Sequence, residues 1–455
     1  MKIFGRNYTF LTVAVLIFSL LTVANTNAQR RRVVAAGYDD AMQLDSEKRT
    51  EIIDSVSAAI NRIYVFPDVA DEMTAYVKKQ NKNKAYENFD SPLHFTERLT
   101  EDLRSVCRDR HLGVRFFTDE EIAQMTDVDT ARSLERQVTG ARHNNYGFKK
   151  IERLDGNVGY LEFTGFSGLP GAGETAIAAM NFLAYTDALI IDLRRNGGGS
   201  PAMVQLLSSY LFNESVHLNS FYIRQEDTIR QFWTQSFVEG PKLSNIPVFV
   251  LTSDYTFSAA EEFTYNLKNL ERATIIGETT GGGAHPVESV IFANLNIGMH
   301  VPFGRAINPV TGTNWEGTGI EPHIKVPADS ALDVAYLEAL KTVSEATADE
   351  GRKFELEWTI RGLEARLNPV SLTENVLRKY TGQYGPRKIW LEEGRLLYQR
   401  ENGPIFHMFP MGENLFGMKE LSSFRIKFVP EENGDVNELI GLYDIGHQDG
   451  NVRNE

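Results

Sequence analysis

The chain predicts an α/β fold with a helical segment before it and an antiparallel β segment after it. Three observations carry that expectation. Apolar residues recur at helical spacing between Ile52 and Val106, short β-branched runs alternate with helical stretches from about Tyr146, and a C-terminal stretch of short strands is broken by Gly, Asn and Glu-Glu turns.

The first 28 residues read as a signal peptide. Lys2 and Arg6 give a basic start, Phe10 to Val23 is almost wholly apolar, and Thr26-Asn27-Ala28 is a small-x-small cleavage site. The apolar run is shorter than the ~20 residues that span a bilayer. The expectation is cleavage after Ala28, a periplasmic or extracellular destination in a bacterial source, and no integral membrane segment afterwards.

Three helices follow, over residues 46–115. Ile52, Ile53, Val56, Ile60 and Ile63 mark the first, Val69, Met73 and Val77 the second behind Pro67, and Phe95, Leu99, Leu103 and Val106 the third behind Pro92. They read as a small bundle whose last helix delivers His111 to a cleft. Thr118 to Asn145 is polar and reads as a linker or a short helix with loops, below the ~50 residues of a domain. The core is assigned to 146–340, with strands VGYLEF, ALIIDLR, VFVLTS and ATIIGE and helices starting near Gly173, Pro201 and Phe257. Gly298 to Pro327 reads as loops, Leu332 to Leu367 as a charged helical segment, and 368–455 as an antiparallel β domain with a packing or tethering role.

Composition narrows the function classes. The chain is 42% apolar and 24% charged, ordinary for a globular protein. A net charge of −14 disfavours nucleic acid and anionic membranes as partners. Cys107 is the sole cysteine, which excludes an intramolecular disulfide. The nine histidines show no H-E-x-x-H spacing, and NGGGS lacks the lysine of a phosphate loop. No metal or cofactor is implied.

Ser258 is the most informative position. It lies where the strand-like IPVFVLTS gives way to helical periodicity, so its hydroxyl sits at a helix N-terminus, beside unpaired N–H groups that stabilise an anion. An acyl-transfer nucleophile is positioned in that way. Ser258-Ala259-Ala260-Glu261 is also an S-x-x-E capping box, and the segment alone favours the cap. Three further segments shift the balance. These are the turn Gly197 to Gly199, whose backbone can approach a ligand, His111 in Arg108-Asp109-Arg110-His111-Leu112-Gly113-Val114, and Glu316 in a Gly-rich loop.

In this order and spacing, DLRRNGGG, TSDYTFSAAEEF, GETTGGGAHP and NWEGTGIEP resemble the tail-specific, or C-terminal-processing, serine peptidase family, over about Ser46 to Asp333. The nearest likeness is to the branch with the tricorn proteases and the repeats of interphotoreceptor retinoid-binding protein. The resemblance implies a ClpP/crotonase-like core. It also implies Ser258 as nucleophile, His111 as general base, Glu316 as the carboxylate supporting that base, and the N–H groups of Gly198 and Ala259 as an oxyanion hole.

Two departures matter. Gly283 stands where family members with a Ser-Lys dyad have lysine, so a lysine dyad is excluded. Arg110 stands where tricorn-type enzymes have the serine that links histidine to glutamate, so that link must run differently. The segment between helices and core is also too short for the PDZ domain that many family members insert.

The expected function is peptide-bond hydrolysis through a Ser/His/Glu acyl-enzyme, with a peptide or protein substrate. The rival is a non-catalytic binder of hydrophobic ligands on the same fold. It would keep a capping serine but has no need of a base and a carboxylate. N-terminal sequencing of exported protein should begin at Gln29; mature material that retains Phe10 to Val23 would contradict the signal reading.

Overall fold

The computed structural model describes residues 44–126 and 138–454. The expected signal segment lies outside them. The chain divides into two compact units: one holds the described residues up to Glu152 with Tyr160–Tyr185 and Ile191–Asp329, the other Arg153–Gly159, Thr186–Ile190 and Ser330 onward.

The first unit opens with α1 (Ser46–Ile63), α2 (Pro67–Lys82) and α3 (Pro92–Cys107). Asp45 caps α1 by accepting from the Lys48 amide at 2.7 Å, and Ser91 caps α3 by accepting from His94 at 3.3 Å. Pro67 and Pro92 sit at helix starts, where a missing N–H costs nothing. Ile52, Val56, Ile60, Met73, Val77, Phe95, Leu99 and Leu103 are fully buried, as their spacing predicts.

Those helices share their core with a sheet of order β1 (Gly113–Phe116), β10 (Ile297–Pro302), β9 (Val287–Phe292), through Val114, Ile297, Met299 and Val301. The stretch read as loops from Gly298 to Pro327 therefore contains regular structure: most of β10, β11 (Gly304–Ile307) and the short β12 (Ile324–Lys325). Ile297, Met299 and Val301, at alternate positions, all enter that core. Gly298, Pro302 and Gly304 between and beyond them mask the pattern in the sequence.

A six-stranded sheet runs in the order β12 (Ile324–Lys325), β8 (Thr274–Gly277), β7 (Val248–Thr252), β4 (Ala188–Asp192), β3 (Val158–Phe163), β2 (Phe148–Leu154). β8 is parallel to both β7 and β12. β4 and β7 are buried at every residue, which is why they read as unbroken apolar runs. The accompanying helices are α5 (Leu169–Phe182), α6 (Pro201–Ser209) and α7 (Ala259–Asn269). A smaller sheet pairs β5 (His217–Ile223) with β6 (Thr228–Trp233) and β11.

In the second unit α8 (Ala331–Ala346) packs on α9 (Glu350–Leu367), the charged helical segment broken at Thr347. Eight antiparallel strands follow in sequential order, from β13 (Gly382–Tyr384) to β20 (Gln448–Val452). A bridge between Tyr384 and Arg453, with Asn454 N–H donating to Gln383 O at 2.7 Å, brings the last strand back to the first, so the sheet is nearly a closed barrel with little free edge. Arg387, fully buried in this sheet, donates to Asp449 at 2.5 and 2.7 Å. Asp449→Ala leaves that guanidinium without its counter-charge and should cost about 3 kcal/mol; a urea titration that shows no loss would contradict the pairing.

Glu262 on α7 is buried, and burial pushes its carboxyl up to about 8. The unfolded chain loses this proton near pH 4.5 while the folded chain keeps it. Its contribution is therefore most favourable below that pH and is lost as pH rises through about 8. Glu262→Gln, which cannot ionise, should raise the melting temperature relative to wild type more at pH 9 than at pH 5; an equal shift at both would contradict a neutral buried Glu262.

Candidate active site

Ser258 caps α7 at the end of a loop that is tied down along its length. Ser253 Oγ donates to Arg194 O at 2.6 Å, Thr256 Oγ1 to Leu193 O at 2.8 Å, and Phe257 N–H to Asn196 O at 3.1 Å. Ser258 itself has φ 56° and ψ −123°. A helix cap normally lies in the extended region, and a non-glycine residue at positive φ persists only where its surroundings impose it. A strained strand-to-helix turn is the geometry that holds a nucleophilic serine out from its sheet.

Glu261 imposes much of that geometry. Its fully buried carboxylate accepts from Ser258 N–H at 2.9 Å, Thr280 Oγ1 at 2.5 Å, Gly282 N–H at 2.7 Å and Gly283 N–H at 2.8 Å. Burial pushes it up to about 7 although these donors pull the other way. The glutamate of the capping box thus joins the start of α7 to the Thr280–Gly283 loop.

The glycine turn lies against Ser258. A Cβ on Gly198 would fall 2.6 Å from Ser258 Cβ and 2.8 Å from Ala259 N, and Gly198 has φ 104°, so only glycine fits. The Gly198 amide, expected to face an oxyanion, instead donates to Asn196 Oδ1 at 2.9 Å. Asn196 is fully buried and also donates to Phe163 O at 2.9 Å, so it sets the shape of the turn. The amides of Ala259, Gly197 and Gly199 have no acceptor among the described residues.

His111 is not at the end of α3. Arg108, at φ 56°, closes that helix, and His111 lies in the turn before β1. Arg104 braces this turn by donating to Leu112 O and Arg110 O, both at 2.7 Å. The His111 ring packs 4.6 Å from that of Phe257, the residue before Ser258. Its Nδ1 is enclosed without a partner, and burial pushes the imidazole down to about 4, so it is neutral at neutral pH. A Cβ on Gly283 would come 2.7 Å from His111 Cε1 and 2.2 Å from Phe257 Cζ. Any larger residue at 283, lysine included, collides with both rings.

Glu316 meets a different histidine. Its Oε2 accepts from Ala284 N–H at 2.6 Å and lies 3.5 Å from His285 Nδ1, which pairs with Asp109 Oδ2 at 2.6 Å. No hydrogen bond or ion pair joins His111 to Glu316 or to Ser258 among the described residues. Burial and the Asp109 charge push Glu316 up to about 7. Burial alone would raise Asp109; the His285 ring bonded to it outweighs that and holds it below the usual carboxylate range. Burial opposes a charge on His285, but Asp109 and Glu316 raise its basicity above the ordinary value. Arg110 donates to Gly281 O at 2.7 Å with its guanidinium 5.7 Å from the Phe257 ring centre.

Asp109, His285 and Glu316 each present a donor atom within 4.8 Å of the others, a set that could hold a divalent cation. The 2.6 Å Asp109–His285 contact is the length of a strong charged hydrogen bond and accounts for the cluster without one. Reasoning from sequence singled out Ser258, His111, Glu316, Gly198 and Ala259 but gave no role to Asp109, His285 or Asn196. Asp109 and His285 both stand in the segments already quoted; their pairing joins distant parts of the chain, and no local spacing announces it.

Residues 157–326 match the profile described as peptidase family S41, and residues 42–141 the N-terminal domain of peptidase S41 in eukaryotic IRBP. The chloroplastic carboxyl-terminal-processing peptidase 1 of Arabidopsis thaliana is 26% identical over 201 residues, 42% of this chain and 38% of that protein. A carboxy-terminal-processing protease of Bartonella bacilliformis is 28% identical over 178 residues, 38% of this chain and 40% of that protein, and the tricorn protease of Thermoplasma volcanium 29% over 132 residues, 29% and 12%. The chain thus spans about two fifths or less of the curated relatives it matches. Among solved structures, the photosystem II D1 C-terminal processing protease overlays with a TM-score of 0.42 at 16% identity, covering 63% of this chain and 94% of that one. A lipoprotein from Streptococcus agalactiae gives 0.44 at 16% identity, covering 66% and 98%. With an S41 domain at residues 157–326 behind an S41 N-terminal domain at residues 42–141, the chain belongs to peptidase family S41.

Proposed function

We propose that the protein is an exported serine peptidase that cleaves peptide bonds in peptides or unfolded chains through an acyl-enzyme. The observation that carries this reading is the strained Ser258 at the head of α7, with the Ala259 amide beside it free of any acceptor among the described residues. A serine that only caps a helix needs neither. Family membership supports the reaction class, and the N-terminal signal pattern supports export.

In the proposed cycle Ser258 Oγ attacks the substrate carbonyl and its proton passes to His111. The base is neutral at neutral pH and its ring nitrogens have no protein partner among the described residues, so it is free to turn onto the serine once substrate fills the cleft. The oxyanion is held by Ala259 N–H and a second amide of the Gly197–Gly199 turn; Gly199 takes the place first expected of Gly198, whose amide is bonded to Asn196. His111 then gives its proton to the leaving amine, and water, activated by the same imidazole, releases the acyl group. Domain boundaries at 46–115, 146–340 and 368–455 remain part of this proposal, with no catalytic group assigned to the last.

Ser258→Ala should lose on the order of 10⁶ in turnover of a casein or peptide library. Its stability should stay within the ~1 kcal/mol that losing a cap costs. Wild-type protein that hydrolyses nothing in such a library and is not labelled by a fluorophosphonate would favour the hydrophobic-ligand-binding reading instead.

A further inference from the structure

We infer that Asp109 and His285 are positioning residues that replace the missing serine link, so that Glu316 is joined to the base through a buried Glu316–His285–Asp109–His111 chain. This rests on the proposed role of His111. The link is needed because Arg110 occupies the linking position and points away, its guanidinium donating to Gly281 O at 2.7 Å.

Each step of the chain is a direct contact in the structure. Glu316 Oε2 lies 3.5 Å from His285 Nδ1, His285 Nδ1 lies 2.6 Å from Asp109 Oδ2, and the other Asp109 oxygen, Oδ1, accepts the His111 amide at 2.9 Å. Asp109 is 1% exposed and His285 5%, so neither is solvated and each must find its partner within the protein. The contact to His111 is to its peptide and not its ring. Asp109 therefore fixes where the imidazole starts from, and its charge favours the imidazolium that forms when Ser258 gives up its proton.

His285 has a separate duty. Two carboxylates in one buried site repel each other, and the Asp109 charge contributes to raising Glu316. The His285 ring between them offsets that repulsion, bonded to one and within ion-pair range of the other. Without it the Asp109 charge is uncompensated, and Asp109 would protonate or turn away from His111. Phe66 packs edge-on against the His285 ring with centroids 5.6 Å apart, which limits its rotation.

The test uses Asp109→Asn and His285→Gln in the full chain, both near-isosteric, with the rate of fluorophosphonate labelling of Ser258 and the kcat and KM of peptide hydrolysis as readouts. Asp109→Asn keeps an acceptor for the His111 amide but loses the charge. The labelling rate and kcat should fall by on the order of 10²-fold with KM little changed, less than the ~10⁴-fold cost of altering a carboxylate that touches the base's ring. His285→Gln should fall comparably. Wild-type rates in both variants would overturn the inference. Should either variant fail to fold, proton NMR of the wild-type protein decides: a strongly deshielded His285 Nδ1 proton that moves in Glu316→Gln supports the chain, and an ordinary solvent-exchanging imidazole overturns it. If wild-type protein is not labelled at all, the serine-peptidase reading fails, and the same NMR signature still decides whether the chain of contacts exists.

Discussion

The site depends on one buried carboxylate. Glu261 gathers the Ser258 amide, the amides of Gly282 and Gly283, and the Thr280 hydroxyl, and Thr280 in turn accepts the Ile320 amide at 2.8 Å. A group that burial pushes up to about 7 is costly to keep inside the protein, and four donors are what makes it tolerable. In exchange, the head of α7 and the Thr280–Gly283 loop are held in one arrangement. Ser258 keeps a backbone conformation it would otherwise leave, and Gly283 is held against His111 and Phe257, where no side chain fits.

The second constraint is steric. Gly198 against Ser258 and Gly283 against His111 are both places where a Cβ would collide with the site itself. The two glycines bring separate loops close enough to share one small volume, and Asn196 and Glu261 spend their hydrogen bonds keeping those loops there. The proposed catalytic groups come from the turn after α3, the head of α7 and the loop before β12, so the sheet and these buried polar anchors, rather than local propensity, make the site.

Much of this was legible in the sequence. The strands ALIID and VFVLT follow from apolar runs because both faces are covered, and the three N-terminal helices follow from periodicity, two of them also from their proline starts. The expected loops after Gly298 were partly strands, since glycines and a proline interrupt the alternation that Ile297, Met299 and Val301 still carry. Ser258 and the glycine turn were legible because a strand-to-helix junction has a local signature. The partner of Glu316 was not. Asp109 and His285 meet only through the tertiary fold, and Arg110 is visible in the sequence as the absence of a link without showing what replaces it. Gly198 illustrates the same limit: the family resemblance implied a place for it beside Ser258, but the loss of its amide to Asn196 could not be read.

The most direct measurement is a crystal structure of the protein after treatment with a fluorophosphonate. A phosphonate bonded to Ser258 Oγ is expected, its oxygen accepting from Ala259 N–H and from an amide of the Gly197–Gly199 turn, with the His111 ring rotated toward the serine. An unmodified Ser258 whose hydroxyl remains bonded to its own helix, with His111 still packed on Phe257, would contradict it.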